Sequence, residues 1–221
     1  MMKHTESELV DIKNSISEMW NLVQSQFEKA KTALLNSDED LARVVISTEK
    51  RVNAFELKID SDCENYIALF SPVAIDLRLV LSMIKINKTL ERIGDFADGI
   101  ARFVLESDEH GSHLELLKEI DVETMLVAVE TMLEKTLQAI TTENTAQAGM
   151  VFSIDNSIDT LYAEAIKKLA GHVVTNPNDA LYVLHLMTVL RKIERAGDHC
   201  NNIMEEIVFY LDAKVLKHQK K

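Results

Sequence analysis

Apolar residues recur along the first segment at Leu9, Ile12, Ile16, Met19, Val23, Phe27, Ala30 and Leu34. The steps are three or four residues, so these positions share one stripe of a long amphipathic helix. The stripe stops near Asn36. Ser37-Asp38-Glu39-Asp40 follows and predicts a capping box, with Ser37 as N-cap and an acid three residues on. A second helix carries Val44, Val45, Val52, Phe55 and Ile59 and is expected to end at Phe70. Ser71-Pro72 predicts the next start, a capping serine before a proline in the first helical position. The third helix runs to about Glu106, and the polar residues 108–112, which include Gly111, mark a boundary between halves.

The second half repeats the plan. One helix covers 122–140 and another about 143–173. Asn176-Pro177 with Asp179 predicts a further capped start, and the last helix runs to about Lys214 before a frayed tail at 217–221. The residues repeat too. Glu91-Arg92-Ile93-Gly94-Asp95 recurs 103 residues on as Glu194-Arg195-Ala196-Gly197-Asp198. Asp76 finds Asp179, and Ile100 finds Ile203, at the same offset. Glu49-x-x-Val52-Asn53 recurs 106 residues on as Asp155-x-x-Ile158-Asp159. A repeat of this length is too long for a solenoid. It predicts an all-α fold of six long helices in two tandem homologous three-helix bundles, residues 1–110 and 111–221.

Composition narrows the class. Among 221 residues only 6 are Gly and 2 are Pro, too few for the turns of an all-β or α/β fold. Acids outnumber Lys and Arg by 36 to 24, a net charge of -12. Such a chain repels phosphate backbones, so no nucleic-acid partner is expected. Cys63 and Cys200 are too few for a disulfide framework and suit a reducing, cytoplasmic setting. The polar residues 1–10 make a secretory leader unexpected, and no apolar run of about 20 residues occurs in the sequence. Membrane association is therefore expected only through partners.

The candidate chemistry lies in the acids. Helical residues four apart share a face. Glu91 and Asp95 therefore point together, with Asp98 between them one turn on. Glu194, Asp198 and Asn201 repeat that arrangement, and Asp155 with Asp159 and Glu49 with Asn53 do likewise on the preceding helices. Like charges at this spacing cost a few tenths of a kcal/mol. A hard cation such as Mg²⁺, Mn²⁺, Ca²⁺ or iron offsets that cost, since it prefers oxygen ligands. No Cys or His cluster accompanies the acids, which argues against structural zinc. None of the 7 His follows a Glu by three residues, so the Glu-x-x-His di-iron pattern fails.

Blander readings stand beside this one. Acidic pairs arise by chance on solvated faces of so acidic a chain, and Arg92 and Arg195 could neutralise their neighbours as ordinary ion pairs. Gly94 and Gly197 sit mid-helix, where glycine costs about 1 kcal/mol, either for close helix packing or for clearance around an ion. His199 suits a solvated or packing role, its first-half counterpart being Phe96. His185 is expected to be a satisfied buried histidine, and Cys200, Trp20 and most of the 9 Met core. Glu206 is expected on a solvated face, so Glu206→Ala should cost far less than Gly197→Leu. No nucleophile elbow, P-loop or dinucleotide motif occurs.

With Glu-Arg-x-Gly-Asp doubled about a hundred residues apart, the chain resembles the PhoU family of phosphate-transport regulators. Ser71-Pro72-Val73-Ala74-Ile75-Asp76-Leu77-Arg78 and Arg191-Lys192-Ile193-Glu194 support the likeness. The resemblance implies two three-helix bundles, each carrying metal ions (iron, Mn or Mg) at Glu/Asp-x-x-x-Asp motifs. These fall at Glu49/Asn53 and Glu91/Asp95, then at Asp155/Asp159 and Glu194/Asp198. Asn53 departs from the pattern, so weaker binding is expected in the first half. The resemblance further implies a non-enzymatic negative regulator of phosphate uptake and of the starvation response. Its expected partners are the ATPase subunit of the phosphate ABC transporter and a phosphate-sensing histidine kinase. Long helical faces suit such contacts and a homodimer. The competing expectations are a carboxylate-bridged metal-dependent phosphohydrolase and a plain oligomerisation module.

Overall fold

A computed structural model describes residues 2–107 and 113–216. It contains α1 (Met2–Asn36), α2 (Glu39–Phe70), α3 (Ala74–Glu106), α4 (Leu114–Glu119), α5 (Val122–Thr141), α6 (Ala148–Thr175) and α7 (Ala180–Asp212). The described residues hold no strand. Helices α1, α2 and α3 pack on one another, and α5, α6 and α7 do the same. The two groups join through α3 against α7 and α1 against α5. Ser82 Oγ donates to Glu206 O at 3.2 Å, near the start of α3 and the end of α7. Gly99, late on α3, faces Lys192, early on α7, so the two helices run antiparallel.

The apolar stripe read on α1 is the core face. Ile12, Ile16, Met19, Trp20, Val23, Phe27, Ala30 and Leu34 are all buried. Trp20 Nε1 donates to Leu133 O at 3.2 Å, which ties α1 to α5. Cys63 and Cys200 are free and buried. Burial pushes the Cys63 thiol up to about 12.

Several local readings change. Ser37 does not cap α2. It takes a left-handed φ of 52° at the end of α1, and Asp38 is the cap, its Oδ1 accepting from Leu41 N at 2.9 Å. Ser71 likewise closes α2, with φ 46° and its N–H bonded to Ile67 O. Pro72 precedes α3 rather than opening it, and Val73 stands in the N-cap position. The short α4 is a seventh helix beyond the six expected. Helix α6 begins at Ala148 rather than near Glu143, because Asn144 Oδ1 accepts from Ala146 N at 2.8 Å in the preceding turn. Pro177 opens a single 3₁₀ turn, Pro177–Asp179, before α7, and α7 ends at Asp212.

Two side-chain readings are also overturned. His185 is exposed, because it falls outside the arc of α7 that buries Leu186 and Leu190. Glu206 is 6% exposed rather than solvated. Its Oε2 pairs with Lys85 Nζ across the α3–α7 seam at 3.0 Å. The expected boundary at 108–112 and the tail at 217–221 lie outside the described residues. No helix among those residues is long and apolar enough to cross a membrane.

Candidate metal centres

Each half brings an acid of one helix against a glycine of the next. A Cβ placed on Gly94 of α3 would stand 3.2 Å from Val52 Cγ1, 3.2 Å from Gln26 Oε1 and 3.4 Å from Glu49 Oε2. One placed on Gly197 of α7 would stand 3.1 Å from Ile158 Cδ1, 3.1 Å from Asp155 Oδ1 and 3.9 Å from Met132 Sδ. Val52 and Ile158, Glu49 and Asp155, and Gln26 and Met132 are pairs of equivalent positions in the repeat. Close helix packing is thus present at both glycines, and the space that the missing side chain leaves is taken by a neighbouring carboxylate.

An amide holds each of these acids. In the first half Gln26 Nε2, from α1, donates to Glu49 Oε2 at 2.8 Å. In the second half Asn201 Nδ2, from α7, donates to Asp155 Oδ2. Asp155 and Asn201 are buried, while Glu49, Glu91, Asp95, Asp98, Glu194 and Asp198 are half-buried. Asn53 and Asp159 are exposed at the outer edge. The sequence reading missed Gln26. Its signal was a polar residue inside the apolar stripe, between Val23 and Phe27.

The acids repel one another. Burial pushes the Glu49 carboxyl up, the Gln26 hydrogen bond opposes this, and Asp95, Asp98 and Glu91 push it further up. Burial raises Glu91, with Asp95 adding to it against Lys88 and Arg92. Burial raises Glu194 as well, Arg191 opposing while Asp198 and Asp159 add. Each direction means that the charged form is disfavoured and that a nearby cation would restore it. Glu49 Oε1, Glu91 Oε2 and Glu194 Oε2 are buried and accept no hydrogen bond.

Basic side chains supply part of the missing charge. Lys88 lies 3.5 Å from Glu91, and Arg92 lies 3.2 Å from Asp95. Arg102 grips Asp98 at 2.6 Å, and Arg191 reaches Glu194 at 2.9 Å. Arg92 is the ordinary ion-pair partner that its position allowed. Arg195 instead lies over the Phe96 ring, 5.6 Å from its centroid. Among the described residues, no group of three or more His, Cys, Asp or Glu side chains is gathered closely enough to hold an ion. The donor set nevertheless fits a hard cation. It consists of carboxylate and amide oxygens, several of them buried and accepting no hydrogen bond, beside a backbone cleared by glycine.

Fold and site define an all-α protein built from two homologous helical repeats, each presenting an acid-rich face. The chain belongs to the PhoU family: the PhoU domain model matches residues 16–104 and 122–207. It is similar to the phosphate-specific transport system accessory protein PhoU of Serratia marcescens, 35% identical over 212 residues. That alignment covers 96% of this chain and 86% of the relative. The protein of the same name from Escherichia coli (strain K12) is 35% identical, with 96% and 87% covered. The crystal structure of PhoU from Pseudomonas aeruginosa superposes with a TM-score of 0.85 at 30% identity, over 95% of this chain and 99% of that one. The phosphate transport system regulatory protein PhoU from Streptococcus pneumoniae gives 0.86 at 26% identity, over 96% and 99%.

Proposed function

We propose that this chain is a non-enzymatic regulator of phosphate transport that restrains uptake and the starvation response when phosphate is plentiful. It does so as an adaptor between the ATPase subunit of a phosphate ABC transporter and a phosphate-sensing histidine kinase, on the cytoplasmic side of the membrane and as a homodimer. The observation that carries this reading is the likeness over nearly the whole chain to proteins named for accessory service to phosphate-specific transport.

Metal ions belong to the proposal. Glu49, Glu91, Asp95 and Asp98 would hold them in the first half, and Asp155, Asp159, Glu194 and Asp198 in the second. Asn53 and Asn201 lie beside them. A bound cation supplies positive charge that lets these carboxylates stay ionised side by side. The protein's own groups do the positioning: Gln26 fixes Glu49, Asn201 fixes Asp155, and Gly94 and Gly197 let the helices close over them.

The test is genetic. Deleting the gene in its own host and assaying alkaline phosphatase in phosphate-rich medium should give high output, restored to low by the wild-type copy. Unchanged output on deletion overturns the regulatory reading. Turnover of phosphate esters by Mn²⁺-loaded protein would instead favour the phosphohydrolase.

A further inference from the structure

The two halves distribute acid and amide in opposite ways. The outer position is Asn53 on α2 but Asp159 on α6. The position two turns past the Glu of the motif is Asp98 on α3 but Asn201 on α7. The exchange is reciprocal, so each half keeps the same number of site carboxylates. Register supports the equivalence. Asn201 bonds Asp155 directly, so the matching Asp98 faces Glu49, and Asp98 is among the charges that raise Glu49.

A second observation points to a cation at this place. Gln26 is 1% exposed, its Nε2 is spent on Glu49 and Val45 O, and its Oε1 has no hydrogen-bond partner. That neutral oxygen lies beside Glu49 over Gly94, where it adds a ligand without adding charge. The second half has Met132 in its place.

Arg102 sets the halves apart. Its Nε lies 2.6 Å and its Nη2 3.3 Å from the two oxygens of Asp98. The equivalent residue on α7 is Glu205.

We propose that Asp98 does in the first half what Asp159 does in the second, and that Arg102 is a built-in counter-ion which a metal must displace. The first half is then the weaker, exchangeable site because of Arg102 and not because of Asn53. This rests on the metal reading above.

The test uses full-length, metal-stripped protein titrated with Mn²⁺, with free Mn²⁺ followed by electron paramagnetic resonance. Asp155→Asn with Asp159→Asn isolates the first half, and Glu194→Gln with Asp198→Asn serves the same purpose if that pair does not fold by circular dichroism. On either background Arg102→Gln should tighten binding about tenfold and Asp98→Asn weaken it about tenfold, within the range that supporting residues exert on metal affinity. Adding Asn53→Asp to Asp98→Asn should restore it. Unchanged affinity for both Arg102→Gln and Asp98→Asn overturns the proposal while leaving the metal reading intact. Absence of Mn²⁺ binding by the wild-type protein in either half overturns both.

Discussion

Asp155 Oδ1 lies 3.1 Å from the point where a Cβ on Gly197 would stand. A methyl group there must push the carboxylate aside by a few tenths of an ångström. Alanine gains about 1 kcal/mol of helix propensity over glycine, which offsets much of that contact. Gly197→Ala should therefore melt near the wild-type temperature while binding Mn²⁺ more weakly in the second half. Gly197→Leu overpacks the crossing and should cost about 1–3 kcal/mol in chemical denaturation. Equal Mn²⁺ affinity for Gly197→Ala and wild type would separate the glycine from the site.

Glu206 makes its prediction through Lys85. Glu206→Ala removes two hydrogen bonds of 3.0 and 3.2 Å from a buried carboxylate on the α3–α7 seam. Lys85 is half exposed and can return to water, so the loss is that of charge-assisted bonds at a partly screened site, about 1–2 kcal/mol. Glu115→Ala, on a side chain 86% exposed, should change stability by less than about 0.5 kcal/mol. Similar unfolding midpoints for the two variants would remove Glu206 from the seam.

Much of this fold was legible in the sequence because its signal is periodic. The α1 stripe and the doubled motif needed only the spacing of apolar and acidic residues, and the long helices α1, α2, α3 and α5 fall where that spacing put them. Helix α4 was missed because it has six residues and too few turns to show a period. The two serine caps were misread because a left-handed residue that ends one helix looks, in sequence, like the cap of the next. Glu206 was misplaced because its partner Lys85 is 121 residues away, and no local pattern reports the α3–α7 seam. The acid pairs were visible, but Gln26 was hidden as a single polar residue in an apolar face.

The raised carboxyls give a pH dependence with a definite sign. Glu49, Glu91 and Glu194 lie above their ordinary value of 4.5 in the folded protein. The folded state therefore binds more protons than the unfolded state just above that value, and these groups lose stabilising effect as pH rises through their folded pKa. Asp179, held down by its hydrogen bond from His172, acts oppositely and loses its contribution as pH falls below 3.8. In the His199→Phe background, which removes the opposing histidine contribution, metal-free protein should lose stability as pH rises upward from about 4.5, and saturating Mn²⁺ should flatten that slope. A metal-free melting profile that climbs over the same window would contradict the crowding of these acids.

Phe96 and His199 hold the same position in the two repeats and meet at the α3–α7 crossing, ring centroids 5.4 Å apart. Burial lowers the His199 pKa, with Arg195 and Arg92 adding and Asp198 opposing. A lowered histidine means that the folded state binds fewer protons, so its contribution is present above the ordinary value of 6.5 and is lost as pH falls through the window below it. His199→Phe should be folded and should lack that part of the acid sensitivity. An imidazole titration by nuclear magnetic resonance that places His199 above 6.5 would contradict the arrangement.

The doubled carboxylate centre is tested most directly by metal analysis of the protein purified from its own host without chelator. Mass spectrometry of the digested sample should find iron or manganese in at least stoichiometric amount in the wild type, falling sharply when Asp95→Asn and Asp198→Asn are combined. Wild-type protein with metal at background level, folded and still able to repress the phosphate-starvation output, would contradict the account.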